Sequence, residues 1–363
     1  MNKLINMSNL QKGGAIAVAV SFCVYLNNSP KKNVYVLVSK KILEEVKKNN
    51  LKIPNLIEHD YTWKSFIFLN RLVKEKKINS VFTLFGPILW RPNIKHIVGF
   101  ALPWLIYDSK GVRKISSPFF YLRKKIESYI KSIIYKITTD KYVVESADVK
   151  LNLSKKLKII DDNIFVVENS FNQFFEDVSY KIAKKKNPSI TRILYISAFY
   201  PHKNFITLLK AINSLNTKQN NLVYELVLTI PDNDLKKLNN YCDPKYIVNK
   251  GYVSPRDVPA LYRDCDIVVS PSLLECFSAL YAEAIFMKKP LIVSDFSFSR
   301  EICKNAALYF DALSHHDLEA QVLKIERDAS LRDKLSYNCT QILKEFPSSH
   351  DRARNYLKIL DEN

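Results

Sequence analysis

Short apolar runs of strand length alternate with helix-like stretches along the whole chain, and this alternation restricts the fold more than any other feature. Strands that alternate with helices are typical of βαβ units and a parallel sheet. The runs form two groups, at residues 3–7, 34–39, 80–85, 96–100, 142–145 and 164–168, and at residues 192–197, 224–230, 247–251, 267–270, 291–294 and 307–310. The sequence therefore predicts an α/β protein with two Rossmann-like, doubly wound domains.

The length of 363 residues fits two domains, because a single domain usually holds ~100–200 residues. We predict an N-terminal domain at residues 1–170 and a C-terminal domain at residues 191–345. Residues 171–190 are polar and rich in lysine, and they form the predicted linker. Residues 346–363 contain a Pro-Ser-Ser helix-start signal, which predicts a final helix. A return of this helix to the N-terminal domain is a separate expectation, which the signal itself does not imply.

The six cysteines are scattered, with no C-x-x-C pair and no histidine at zinc spacing. This pattern predicts reduced thiols and no metal site. The apolar segment 15–26 follows two lysines and resembles a signal peptide, but it lacks a small-x-small cleavage site, and a helix buried under a sheet would look the same. No stretch reaches the ~20 apolar residues that a membrane span needs.

Positive charge is concentrated in the first half of the chain. Residues 1–170 hold 29 Lys and Arg against 13 Asp and Glu, whereas residues 171–363 hold 26 against 23, so +16 of the net +19 lies in the first half. Such a surface attracts anionic lipid, nucleic acid or a phosphorylated substrate. The alternative is a lysine-rich composition that only keeps the protein soluble.

Residues 267–295 carry the densest chemical signal. A strand ends in Pro-Ser, the following loop contains Glu275, and a helix that begins near Ser278 carries Glu283. Open parallel sheets bind ligands at the carboxyl ends of their strands, where Glu275 would lie. The backbone N–H groups of Ser278, Ala279 and Leu280 would form a helix N-terminus suited to phosphate.

The E-x7-E spacing within PSLLECFSALYAEA, followed by KKPLIVSD, resembles the signature of glycosyltransferase family 4, also called glycosyl transferases group 1. Residues 193–204 (ILYISAFYPHKN) and 251–272 (GYVSPRDVPALYRDCDIVVSPS) also resemble that family. Gly13-Gly14 and IFVVENS at residues 164–170 extend a weaker resemblance into the first half. The resemblance implies a GT-B fold, with two Rossmann-like domains facing a deep cleft, the acceptor bound by the first domain and a nucleotide sugar by the second.

The resemblance also implies roles for three residues. Glu275 would be the catalytic residue beside the anomeric centre of the donor sugar, Glu283 would accept hydrogen bonds from the ribose, and Lys203 would contact the diphosphate. The other donor-site candidates are His202, Asn204, Ser197, Phe277, Ser278, Ala279, Leu280, Gly13 and Gly14. We expect metal-independent transfer without a cofactor, as the resemblance implies. Retention of configuration is implied by the family alone.

The sequence departs from the family at several positions. Cys276 and Ser278 stand where glycines are common, and Ser197 stands near the position of an arginine that commonly accompanies the motif lysine. We find no counterpart of the histidine that often faces the donor sugar from the first domain. Trp104 and Tyr107 occupy that region, and they are candidates for acceptor binding.

Residues 117–137 interleave aromatic and basic side chains. This pattern suits a segment that lies at a membrane interface, but a helix that packs its apolar face on the domain would look similar. Our hypothesis is a cytoplasmic, peripheral enzyme on the inner face of the plasma membrane. It would transfer a hexose to a polyprenyl-diphosphate-linked glycan of a bacterial surface polysaccharide such as lipopolysaccharide O-antigen or capsule. The alternatives are a sugar epimerase or a non-catalytic sugar- or nucleic-acid-binding module, although no nucleic-acid motif is present.

Overall fold

A computed structural model describes residues 1–11, 13–176, 189–218 and 223–362. The strands in this part of the chain are β1 (Asn2–Met7), β2 (Val34–Val38), β3 (Leu56–Glu58), β4 (Ile78–Thr83), β5 (Lys95–Gly99), β6 (Lys141–Val144), β7 (Ile164–Val166), β8 (Ile190–Tyr195), β9 (Val223–Leu228), β10 (Ile247–Asn249), β11 (Ile267–Ser270), β12 (Leu291–Ser294) and β13 (Ala307–Phe310).

The α-helices of the same residues are α1 (Gly14–Asn28), α2 (Lys40–Lys48), α3 (Ser65–Glu75), α4 (Pro103–Ile106), α5 (Lys110–Ile115), α6 (Pro118–Thr138), α7 (Ala147–Leu157), α8 (Phe205–Lys218), α9 (Asp232–Leu235), α10 (Val258–Asp264), α11 (Ala279–Phe286), α12 (Ser297–Cys303), α13 (His315–Arg327), α14 (Ala329–Ile342) and α15 (Ser349–Glu362). Short 3₁₀ turns lie at Asp161–Asn163, Gln173–Phe175, Pro201–Lys203, Lys236–Leu238 and Pro244–Tyr246.

Each of the twelve predicted strands is present, and β3 is the strand that the sequence pattern did not predict. It has three residues, and none of them is fully buried. A strand this short and this exposed carries no apolar alternation, so periodicity cannot reveal it.

The chain divides into two compact units. Unit 1 contains Met1–Tyr107, Leu122–Asn172 and Pro347–Asn363, and unit 2 contains Asp108–Tyr121 and Gln173–Phe346. Unit 1 therefore differs from the contiguous range 1–170, because Asp108–Tyr121 belongs to unit 2. There α5 lies close to the chain after β11, and a side chain at Gly111 would lie 3.4 Å from Leu273. Residues 177–188 of the predicted linker lie outside the described residues.

Unit 1 is built on a parallel sheet of seven strands in the order β3-β2-β1-β4-β5-β6-β7. Successive side chains of β1 point to opposite faces of the sheet. Ile5 and Met7 belong to a core cluster with residues of α1 and α15, whereas Leu4 belongs to a second cluster with residues of α3. Both faces are covered, as expected for a doubly wound domain. The apolar segment 15–26 lies within α1, which contributes to the first cluster.

The C-terminal helix α15 packs against α1 in unit 1. Tyr356 lies 5.0 Å from Phe82, measured between ring centroids, and the buried Arg352 donates a hydrogen bond to Asn169 Oδ1. The Ser170 hydroxyl donates to the Pro347 carbonyl at 2.5 Å, which fixes the start of this segment. The last residues of the chain therefore complete the core of unit 1.

Unit 2 is built on a parallel sheet of six strands in the order β10-β9-β8-β11-β12-β13. Its first strand, β8, lies between β9 and β11, just as β1 lies between β2 and β4 in unit 1. Strand order reverses at these two positions, which are the ligand-binding crevices of open parallel sheets. The predicted α/β class with two doubly wound sheets is confirmed.

All six cysteines are buried thiols that form no disulfide bond. Burial in an apolar helix raises the pKa of the Cys23 thiol to about 12, so this thiol stays protonated and unreactive at neutral pH. The cysteines are therefore packing residues of the two cores.

Candidate active site

Two charged side chains meet at the crevice of unit 2. Lys203 lies in the 3₁₀ turn Pro201–Lys203 that follows β8, and Glu275 lies in the loop between β11 and α11. The Lys203 Nζ donates to Glu275 Oε1 at 2.5 Å, and Glu275 is only 7% exposed. Since β8 and β11 are parallel neighbours, their following loops leave the same edge of the sheet, and this brings the two residues together across 72 positions of sequence.

The two loops are also joined by hydrogen bonds that do not involve the ion pair. Asn204 is buried and has a left-handed backbone with φ of 53°, which asparagine tolerates better than most residues. Its Nδ2 donates to the carbonyls of Pro271 at 3.1 Å and Ala312 at 2.6 Å. The Leu273 N–H donates to the His202 carbonyl at 2.7 Å. These bonds fix the backbone on both sides of Lys203 and the chain that leads to Glu275.

Tyr195, the last residue of β8, supports the same turn. Its hydroxyl donates to the Lys203 carbonyl at 2.9 Å and lies 3.2 Å from Ser272 Oγ. The side chain is buried, so a phenol without these partners would be costly. The sequence pattern did not single out this residue, and the available signal was a tyrosine that ends the strand directly after the buried apolar pair Ile193 and Leu194.

The Lys203 ammonium remains charged despite its burial. Burial alone would lower its pKa, but the Glu275 carboxylate and the Tyr195 hydroxyl raise it by more, so the pKa lies above its usual value. A permanent positive charge is therefore held at the carboxyl end of β8.

Glu283 lies on α11. The sequence predicts that this helix begins near Ser278, and Ser278 is indeed the residue that precedes its first turn. The Tyr262 hydroxyl of α10 donates to Glu283 Oε2 at 2.7 Å. Burial raises the pKa of the Glu283 carboxyl to about 7, although the hydrogen bond from Tyr262 acts in the opposite direction. Glu283 thus titrates near neutral pH. The sequence pattern did not single out Tyr262, which is buried and packs edge-to-face on Phe175.

The N-terminus of α11 lies beside this group of residues in the sequence. The Ser278 side chain makes no capping hydrogen bond, so it does not occupy the N–H groups of the first turn. Ala279 is exposed, whereas the Leu280 side chain is buried in the core of unit 2. Backbone N–H groups, and not the Leu280 side chain, are therefore available to an anion at this point.

The remaining candidates of unit 2 occupy the same loops. The His202 ring stacks on Tyr200 with centroids 5.5 Å apart, and the Ser197 hydroxyl donates to the Ala198 carbonyl at 3.1 Å. Phe277 is half-buried, and Cys276 is buried at 4% exposure. The family that this sequence resembles commonly has glycine at position 276. The loop accommodates a side chain there because Cys276 packs into the protein.

Four candidates lie in unit 1. Gly13 has φ of 75° and ψ of −162°, a conformation that is almost restricted to glycine, and Gly14 is the first residue of α1. Trp104 lies on α4, and the Tyr107 hydroxyl donates to Asp148 Oδ2 at 2.5 Å. Gly13-Gly14 follows β1 at the crevice of this sheet, whereas Trp104 and Tyr107 follow β5.

The segment that contains Lys203, Glu275 and Glu283 matches a known family. Residues 178–341 match the family model described as glycosyl transferases group 1. All three charged residues of the candidate site lie inside this matched segment. No functionally curated protein matches the sequence.

Solved structures similar to the whole chain include several glycosyltransferases. A glycosyltransferase from Rickettsia africae has a TM-score of 0.74 at 18% identity, covering 99% of this chain and 98% of that one. WaaG, a glycosyltransferase involved in lipopolysaccharide biosynthesis, has a TM-score of 0.71 at 11% identity, with 99% of both chains covered. Anabaena Alr3699/HepE in complex with UDP and glucose has a TM-score of 0.70 at 11% identity, again with 99% of both covered. The architecture is that of the GT-B glycosyltransferases.

Proposed function

We propose that the protein transfers a hexose from a nucleotide-diphosphate sugar to a glycan acceptor, with the donor bound in unit 2. The observation that carries this proposal is the buried pair of Lys203 and Glu275 at the crevice of the unit 2 sheet, inside the segment that matches glycosyl transferases group 1. UDP and glucose bound to the similar Anabaena structure agree with a donor of this class.

In the proposed reaction the bond between the anomeric carbon and the diphosphate oxygen breaks, and the diphosphate leaves with the electron pair. A hydroxyl of the acceptor forms the new bond to the anomeric carbon and passes its proton to an oxygen of the departing diphosphate. Negative charge grows on the leaving diphosphate, and the Lys203 ammonium stabilises that charge. Backbone N–H groups at the start of α11 would stabilise it further.

Glu275 has two functions in this proposal. Its carboxylate holds the Lys203 ammonium in place through the 2.5 Å contact, and it contacts hydroxyls of the donor sugar close to the anomeric centre. Glu283 accepts hydrogen bonds from the vicinal hydroxyls of the ribose, for which a carboxylate is a suitable partner. Because Lys203 supplies the positive charge, transfer does not depend on a metal ion. Retention of configuration rests on the resemblance to glycosyltransferase family 4.

We further propose that the acceptor is a polyprenyl-diphosphate-linked glycan of surface-polysaccharide synthesis on the inner face of the plasma membrane. The support is the net charge of +16 in residues 1–170 and the similarity in fold to WaaG. A basic surface favours both the diphosphate of such an acceptor and anionic lipid around it.

A screen of nucleotide sugars against the purified protein tests the donor proposal. A true donor stabilises the folded protein by mass action, so its melting temperature rises with donor concentration. The stabilising donor is then incubated with a lipid-linked acceptor extract, with and without EDTA, and the product is analysed by mass spectrometry. A mass increase of one hexose that persists in EDTA is expected, and a failure of every nucleotide sugar to stabilise the protein would contradict the proposal.

A further inference from the structure

Helix α6 exposes a continuous stripe of large apolar side chains. No helix in the described residues combines the length and the apolar composition that would let it cross a bilayer. In α6, however, only Tyr135 and Thr138 are buried. Seven large apolar residues are between 43% and 77% exposed: Phe119, Leu122, Ile126, Tyr129, Ile130, Ile133 and Ile137.

These side chains lie on one face of the helix. At about 100° per residue, all seven fall within an arc of about 100°, and Tyr135 and Thr138 lie on the opposite side. The buried side of α6 therefore faces the protein, and the apolar stripe faces away from it. The stripe extends from Phe119 to Ile137, and the 21 residues of α6 give a helix about 32 Å long. This geometry decides against the alternative that the helix packs its apolar face on its own domain.

The charges on α6 identify the partner of the stripe. The helix carries five basic residues and one acidic residue, Glu127. Lys124 and Lys131 form ion pairs with Glu127 at 2.7 and 2.5 Å, on the side of the helix that carries Thr138. The exposed Lys125 and Lys136 border one edge of the stripe, and the exposed Arg123 borders the other.

We infer that α6 lies flat on an anionic lipid surface, with its apolar stripe in the boundary between headgroups and acyl chains. A narrow apolar stripe bordered by cations is the pattern of interfacial helices. The bordering cations then contact lipid phosphates, each contributing to binding in a salt-dependent way. A second copy of the chain fits less well, because it would bring two strongly basic helices together within a protein of net charge +19. The inference rests on the proposed function in one respect, since a lipid-linked acceptor gives the contact its purpose.

Vesicle flotation of the full chain tests this docking surface, without donor or acceptor. We expect binding to vesicles of phosphatidylcholine and phosphatidylglycerol, weaker binding to phosphatidylcholine alone, and loss of binding at high salt. The variant Ile126→Glu/Ile130→Glu adds two charges to the stripe, and we expect its affinity to fall by about tenfold or more. Both positions are exposed, so the fold is preserved.

The matched control is Leu151→Glu/Tyr337→Glu, which makes the same charge change at exposed positions of α7 and α14. This control adds the same two negative charges away from the stripe. Its affinity for vesicles should therefore fall only as far as long-range repulsion between those charges and the anionic lipid lowers it. Equal losses in the two double variants, or no binding of the unaltered chain, would overturn the inference. So would a dimer that the stripe variant dissociates while vesicle binding is unchanged.

Donor stabilisation of the stripe variant separates this inference from the proposed function. We expect nucleotide sugars to stabilise the variant as they stabilise the unaltered chain. A variant that loses vesicle binding and keeps donor binding supports the docking surface. If neither protein bound a nucleotide sugar, while the unaltered chain bound vesicles and the stripe variant did not, the proposed function would be contradicted and the docking surface would stand.

Discussion

Lys203 Nζ and Glu275 Oε1 lie 2.5 Å apart, in loops that follow two neighbouring strands of the unit 2 sheet. The side chains are 18% and 9% exposed, so water screens the pair poorly. Removing one partner of such a pair leaves the other charge in a poorly solvated position, which costs more than the pair contributes as a whole. Substitution of either residue should therefore change both the free energy of unfolding and the rate of the proposed reaction.

A double-mutant cycle measures this link. We expect Lys203→Met and Glu275→Gln each to lower the free energy of unfolding by about 1–3 kcal/mol, and the double variant to lose less than the sum. The control cycle uses Lys304 and Glu345, an exposed surface pair, whose coupling should stay below about 1 kcal/mol. Urea unfolding followed by circular dichroism gives all the values, and additive effects at Lys203 and Glu275 would contradict a coupled site.

The same variants test the catalytic role of the pair. Each single substitution should lower the turnover number by about 100-fold or more, because the leaving diphosphate loses its cation or the donor sugar loses its contact. The measurement is kcat at saturating donor, with Glu345→Gln as the control. Near-normal turnover of the Glu275→Gln variant would overturn its assignment.

Donor binding should depend on pH through Glu283. The pKa of this carboxyl is about 7, and the ionised form is the better acceptor for ribose hydroxyls. Affinity for a nucleotide sugar should therefore be constant well above pH 7 and fall by up to about tenfold per pH unit below it. Calorimetric titrations between pH 5.5 and 8.5 measure the affinity, and a nucleotide sugar is used because its diphosphate does not titrate in that range. Glu283→Gln should bind weakly at every pH.

Ionisation of Glu283 favours donor binding, but it lowers the stability of the ligand-free protein. The folded-state pKa of Glu283 lies above its ordinary value of 4.5, so the folded protein binds the proton more tightly than the unfolded chain. Without ligand, the contribution of this group is fully present below pH 4.5 and is lost as the pH rises through 7. A Glu283→Gln variant should lack this loss, and an unchanged pH dependence of stability would contradict the raised pKa.

Tyr262 should set the position of that pH dependence. Its hydroxyl donates to Glu283 and lowers the pKa of the carboxyl, so Tyr262→Phe should raise this pKa further. The inflection in the pH dependence of donor affinity should move to higher pH. The affinity of the variant should be closer to that of the unaltered chain at the highest pH than near neutral pH. The control is Tyr224→Phe, which removes another tyrosine hydroxyl bonded to a glutamate, Glu326, in the same unit. A shift of the inflection in both variants would indicate a general structural effect.

Gly13 and Gly14 should differ sharply in their tolerance of a side chain. Gly13 has a backbone conformation that other residues rarely adopt, so Gly13→Ala should lower the stability of unit 1 by about 1–3 kcal/mol. Gly14 lies in α1 with open space around an added Cβ, so Gly14→Ala should be neutral or slightly stabilising. All three tryptophans lie in unit 1, and their fluorescence during urea unfolding reports on that unit. Equal effects of the two substitutions on stability would contradict the backbone conformation described for Gly13.

The local sequence was sufficient to predict the strands and the motif loops. Apolar runs that alternate with helical stretches depend on neighbouring residues alone, and the twelve predicted strands are present. The same holds for the helix that begins after Ser278. The short strand β3 was missed, because three partly exposed residues leave no periodic pattern. The pairing of β8 with β11, which joins Lys203 to Glu275, was predictable only through the general rule for parallel sheets.

What the sequence by itself determined is the two-sheet α/β architecture and the identity of the charged residues in the candidate site. Only the tertiary structure decided which groups surround them, because Tyr195 and Tyr262 reach Lys203 and Glu283 through contacts between separate elements. It also assigned residues 108–121 to unit 2 and turned the apolar stripe of α6 away from the protein. Periodicity shows that a helix has an apolar face, but the packing of the whole chain determines whether that face is covered.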